Sequence, residues 1–138
     1  MTRSGARLAR RVACAGVVVA SLSSCAAAPQ PHTLELVVRH SRFAPDRITV
    51  ERGTEVRFVV HNRDPIDHEV IVGGAAVQAR HERGTHAAHD DVPGEVSVGA
   101  GATATTTYRF ERAGEITIGC HLPGHYAYGM RATVTVVP

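Results

Sequence analysis

The 138 residues contain no tryptophan and no lysine, and aromatic residues make up only 4%. A core assembled from this chain must therefore rest on Val, Ile and Leu. The missing lysine reads as the bias of a high-G+C genome. No Gly-x-Ser-x-Gly motif is present, which removes the triad-hydrolase reading. No internal repeat is evident. The apolar run at 12–22 is too short to cross a bilayer as a helix. Sulfur is scarce too: there are three cysteines and two methionines, and beyond residue 25 only Cys120 and Met130 remain.

The start of the chain does not read as fold. Arg3, Arg7, Arg10 and Arg11 precede the apolar run without an acid among them, and Leu22-Ser23-Ser24-Cys25 follows it. A basic segment, an apolar segment and small residues before a cut describe an export signal. The ending resembles a bacterial lipobox, which makes 1–24 the signal and Cys25 the lipidated first residue of the mature chain. The cysteine falls directly after the apolar run, which favours this over a cut at another small residue such as Ala28. Residues 25–32, rich in Ala and Pro, read as a tether, and 33–138 as the domain. The formal charge of +2 belongs to the signal. Past it, 11 arginines face 13 acids, a balance of −2 that offers nothing to nucleic acid. The expected location is the outer face of the cytoplasmic membrane, with a soluble exported form as the alternative. A monomer is the default.

Short alternating segments then succeed one another. The patterns at 33–38, 48–51, 55–61, 68–72, 95–98, 103–110, 115–119 and 131–137 predict strands, with turns at Gly- and Pro-containing positions between them. Residues 73–94 break the rhythm and predict a short helix over 75–82 followed by an irregular loop. About eight short strands and no long helix indicate an all-β sandwich or barrel.

Cys120, His125 and Met130 share one loop at Cys-x4-His-x4-Met spacing. A thiolate, an imidazole and a thioether are soft donors, and two His, one Cys and a weak axial Met make the electron-transfer copper arrangement. Cys120 has no partner for a disulfide, and metal ligation accounts for an unpaired cysteine in an exported chain. The second imidazole must come from elsewhere. His68, which opens a strand after the turn 62–65, is the candidate, and His61 is its competitor, read as structural or surface. His121 adjoins Cys120, so in extended chain it points away and is set aside. Asn62 and Glu69 are candidates for fixing the loop by hydrogen bonds.

Across 33–138 the chain resembles the cupredoxins, the small blue-copper proteins. The segments that carry the resemblance are Phe43 to Val50 with Gly53 to Val56, Asn62 to His68, and the loop Gly119 to Met130. The loop spacing is similar to that of rusticyanin and sulfocyanin and one residue longer than azurin's on the Met side. The resemblance implies a Greek-key β-sandwich with one type 1 copper on His68, Cys120, His125 and Met130. It also implies an electron carrier rather than an enzyme, working between redox partner proteins. His125 would lie near the surface, with Pro123, Tyr126 and Ala127 supplying part of a docking patch. A copper-binding or delivery protein without electron turnover is the competing reading. The multicopper enzymes need further copper centres, and no His-x-His pair is present.

The segment 81–91 holds His81, His86 and His89 among three acids. Imidazoles and carboxylates can bind Cu(II) or Zn(II), so a second, weaker metal site is one reading. A solvated polar loop is the other, favoured because the spacing fits no defined structural metal pattern.

Overall fold

The computed structural model describes residues 31–84, 89 and 92–138. The expected signal, Cys25, most of the tether and His86 lie outside these residues. The described chain folds into nine strands and one helix. The strands are β1 (His32–Val38), β2 (Phe43–Ala44), β3 (Arg47–Glu51), β4 (Glu55–Asn62), β5 (His68–Gly73), β6 (Glu95–Val98), β7 (Thr103–Arg109), β8 (Gly114–Gly119) and β9 (Arg131–Val137), and α1 (Ala75–Glu82) follows β5. The strand not expected from sequence is β2, which forms two antiparallel pairs with β1 immediately before Pro45. The helix spans the residues that its sequence pattern predicts.

Two sheets pack face to face, one ordered β2-β1-β4-β7 and the other β3-β9-β8-β5-β6. β4 alternates between exposed and buried positions, as a strand with one solvated face must. Its Val56, Phe58 and Val60 meet Leu36, Val38, Val70, Val72, Val96, Ile118, Val134 and Val136 between the sheets. The core is aliphatic, as the composition demands, and its aromatic part is small. Phe58 and Phe110 meet edge to face at 6.4 Å, and Tyr108 lies 4.9 Å from Phe110.

β5 departs from alternation and is buried at all six positions. One face looks into the core through Val70 and Val72. The other is roofed by α1, whose Gln78 donates from Nε2 to the carbonyls of Ile71 (3.1 Å), Gly73 (3.2 Å) and Thr117 (2.9 Å). Polar groups are thereby brought onto a covered sheet face, where each needs a partner.

Candidate metal centre

The sequence-predicted donors come from two places at one end of the sandwich. His68 is the first residue of β5. Cys120 directly follows β8, and Met130 directly precedes β9. Because β8 and β9 are antiparallel neighbours ending on the pair Gly119–Arg131, the loop between them begins and ends at the same point in space. The amide of Cys120 donates to the Met130 carbonyl (3.2 Å) and the amide of Met130 donates to the His125 carbonyl (3.0 Å), which closes the loop. Gly124 (φ +85°) and Gly129 (φ +88°) take left-handed conformations that make its tight turns.

The side chains converge. The Nδ1 atoms of His68 and His125 stand 3.3 Å apart, and His125 Nδ1 is 3.3 Å from Cys120 Sγ. The three donor atoms all lie within 4.8 Å of one another. Cys120 and Met130 are fully buried, and His68 is almost so. His125 is half-buried, so one edge of its ring reaches the surface. His61 is elsewhere: its ring bridges Thr103 Oγ1 (3.0 Å) and the Glu35 carboxylate on the other sheet.

Asp64 holds His68 in place, a role hidden in the sequence by its membership of a turn. Its carboxylate accepts the amides of His40 (2.6 Å) and Ser41 (2.8 Å) and lies 2.9 Å from His68 Nε2. Placing the His68 proton on Nε2 leaves Nδ1 as a lone pair aimed at Cys120 and His125. This is how a metal-binding imidazole is ordinarily oriented. Asn62 builds the turn itself, donating to the carbonyls of Ile66 (2.8 Å) and Gly99 (3.0 Å) and accepting the Asp64 amide (3.0 Å).

Glu69 and His121 point the other way from their neighbours His68 and Cys120. The Glu69 carboxylate accepts the His121 amide at 2.7 Å, while the Glu69 amide points at Cys120 Sγ, 3.5 Å away. The His121 ring is buried, stacked on Tyr126 at 4.3 Å, with Nε2 2.7 Å from Gln78 Oε1. Tyr126 is half-buried, its ring held between the His121 ring and the Arg131 guanidinium. Around His125, Pro123 and Ala127 are exposed, as are Tyr128 at 79% and Ile66 at 47%.

A protein profile of the cupredoxin-like domain matches residues 12–136. The chain belongs to the cupredoxin family. Among relatives, this cupredoxin is 38% identical over 115 residues to "Copper-resistant cuproprotein CopI" of Rubrivivax gelatinosus, covering 80% of this chain and 69% of that one. The protein of the same description from Pseudomonas aeruginosa is 30% identical, with 81% and 80% covered. Among solved structures, auracyanin B superposes with a TM-score of 0.65 at 25% identity, covering 83% of this chain and 96% of that one. Family, fold and relatives make this cupredoxin a copper-binding protein. The donor set suits the ion: two imidazole nitrogens and a thiol sulfur converge in a buried place, and the remaining nitrogen of His68 is tied to a carboxylate.

Burial shapes the protonation of these groups. It pushes the Cys120 thiol up to about 11, against which the amides of Glu69 and Leu122 act only in part. Burial also holds His125 below the ordinary imidazole value of 6.5, helped by His68, and holds His121 below it despite Glu69. In the metal-free protein the two effects bracket stability. Below a pH of about 6.5 the unfolded chain takes up protons at these imidazoles that the folded chain refuses, so stability falls as pH drops through that value toward the folded pKa values. Above about pH 9 the unfolded chain releases the thiol proton while the folded chain retains it, so stability falls again as pH rises toward 11. Thermal melts of metal-free protein from pH 5 to 11 are expected to show a plateau between these limits. The alkaline limb should be absent in Cys120→Ser.

Proposed function

We propose that His68, Cys120, His125 and Met130 hold one type 1 copper, and that the protein carries single electrons between redox partner proteins outside the cytoplasm. The observation that carries this reading is the convergence of His68 Nδ1, His125 Nδ1 and Cys120 Sγ on one buried point, ringed by a hydrogen-bonded framework. A bound copper supplies a Cu(II)/Cu(I) couple. The chain's part is to keep the donors in place in both states. Asp64 fixes His68, the Cys120–Met130 closure fixes the loop, and the hydrogen-bonded strands β5, β8 and β9 lie beneath both. The half-buried His125 gives the electron its exit, and the exposed Tyr128, Ile66, Pro123 and Ala127 form the surface on which a partner docks. Export and anchoring through a lipidated Cys25 complete this reading, supported by the N-terminal sequence.

A second reading has its own support: the relatives named above are described as copper-resistant cuproproteins, which points to copper handling rather than electron traffic. Voltammetry of the copper-loaded protein separates the two. A carrier gives a reversible one-electron wave with fast exchange. A wave that is absent or sluggish, with copper lost on reduction, would overturn the carrier reading and leave the handling one.

A further inference from the structure

A second cluster lies on the opposite face of β5, beneath α1. His81 Nε2 is 3.1 Å and His89 Nδ1 is 3.0 Å from the same carboxylate oxygen, Glu95 Oε2. The other nitrogen of each ring is also engaged. His81 Nδ1 lies 3.0 Å from the Val77 carbonyl, one turn back on α1, and His89 Nε2 lies 3.0 Å from Glu69 Oε2. All four residues are nearly inaccessible: 1% for each histidine, 2% for Glu69 and 6% for Glu95. The remaining oxygens are occupied, Glu95 Oε1 by Arg80 (2.8 Å) and Glu69 Oε1 by the His121 amide (2.7 Å).

Counting protons exposes a deficit. Each of four ring nitrogens faces an oxygen that can only accept, yet a neutral imidazole carries one proton. Two neutral rings supply protons to two of the four contacts. The other two then set a nitrogen lone pair against an oxygen in a dry setting, which is costly. Two further protons, making both rings cationic, would fill these contacts, and one divalent cation supplies the same two positive charges.

We propose that His81 Nε2, His89 Nδ1 and Glu95 Oε2 are the ligands of a divalent borderline cation of the Zn(II) or Cu(II) kind. The three atoms fall within 4.8 Å of one another. Around a four-coordinate ion with bonds of about 2.0–2.1 Å, neighbouring donors stand roughly 3.3 Å apart, close to the 3.1 and 3.0 Å that separate the two nitrogens from Glu95 Oε2. The two ring protons then occupy the nitrogens that point outward, on His81 toward the Val77 carbonyl and on His89 toward Glu69. A backbone carbonyl and a carboxylate are the usual outer partners of metal-bound histidines. Two imidazoles and a carboxylate, with no sulfur, favour Zn(II) or Cu(II) over Cu(I), so the site differs in kind from the one at Cys120. Of the ligands suggested by sequence, His81 and His89 take part. Glu95 is new, and His86 lies outside the described residues.

The test uses the full chain with copper already bound and Zn(II) as the probe, measured by equilibrium dialysis with metal analysis. One Zn(II) per chain is expected beyond the copper, with the visible spectrum of the copper site retained. Glu95→Gln and His89→Gln are each expected to weaken that uptake at least tenfold, with the copper spectrum in the same samples reporting an intact fold. Wild-type protein that takes up no Zn(II), or variants that keep wild-type affinity, would overturn the proposal. If both variants lose the fold, the Co(II) spectrum of the copper-loaded wild type decides. Intense tetrahedral bands displaced by one Zn(II) support the site, and their absence overturns it.

Discussion

Replacing Cys120 with Ser is expected to leave a folded protein whose Cu(II) form has lost its thiolate-to-copper absorption band entirely. The substitution removes one atom's identity and little volume. Cys120 is fully buried at the end of β8, and a hydroxyl there can still accept the Glu69 amide that points at the sulfur. The cost to folding is that of burying a hydroxyl in partial hydrogen bonding, about 1–3 kcal/mol, and circular dichroism should report an unchanged sheet. The optical change is complete because the band belongs to the sulfur–copper bond. Copper can still be held by His68 and His125, as a weakly coloured site. An unchanged band in Cys120→Ser would remove Cys120 from the site.

The second large effect is expected at Asp64, which touches no metal. Asp64→Ala takes a buried acceptor from the His40 and Ser41 amides and from His68 Nε2. Both His40 and Ser41 have φ of +51°, so their conformation leans on the carboxylate that caps them. Hydrogen bonds to a charged group contribute about 1.5–3 kcal/mol each, and with relaxation and water entry a net destabilisation of about 2–4 kcal/mol is expected in urea unfolding. Copper affinity should fall about 10–100-fold, as when an outer partner of a metal-bound histidine is removed. Asp64→Asn is the milder change. Oδ2 faces both the Ser41 amide and His68 Nε2, and Oδ1 takes the His40 amide, so an Asn with its carbonyl oxygen in the Oδ2 place keeps the first two contacts and loses only the His40 acceptor. This amide variant should therefore recover part of the stability and much of the affinity lost in Asp64→Ala. Chelator competition showing wild-type affinity in Asp64→Ala would refute the orienting role. Asp64 is also held below the usual carboxylate value of 3.8: burial raises it, and the amides of Ser41 and His40, with His68, more than compensate. Its contribution to stability is therefore present above about pH 4 and is lost as pH falls through its folded value.

The fold was legible because its signals are local. Period-two patterns mark the strands, and α1 sits where that pattern breaks. The candidate metal-binding loop stood out for a similar reason: Cys120, His125 and Met130 are chemically conspicuous and close in sequence. His68 needed a choice against His61, and the structure groups His68 with Cys120 and His125 while His61 pairs with Glu35. Less visible were residues whose roles depend on contacts far along the chain. Asp64 lies in an Asn-Arg-Asp-Pro stretch that signals a turn, and the turn signal masks the carboxylate's bond to His68. Tyr126 and Tyr128 are both tyrosines on a loop, and only the stack with His121 decides which of them turns inward. Glu95 reads as the polar start of a strand. Its meeting with His81 and His89 requires α1 to fold back over β5, which no local pattern encodes.

The pleat of β5 carries a consequence for what lies on either side of it. His68 and Glu69 are consecutive, as are Cys120 and His121, and each pair sends one side chain to either side of the same sheet. The Glu69 amide points at the Cys120 sulfur while its carboxylate is gripped by His89 and the His121 amide. One residue of strand thus separates the Cys120 sulfur from the buried histidines beneath the helix. Where a sulfur ligates copper, hydrogen bonding to it tunes the metal's potential, so ordinary strand alternation sets the carboxylate network of one face back to back with the candidate metal centre of the other.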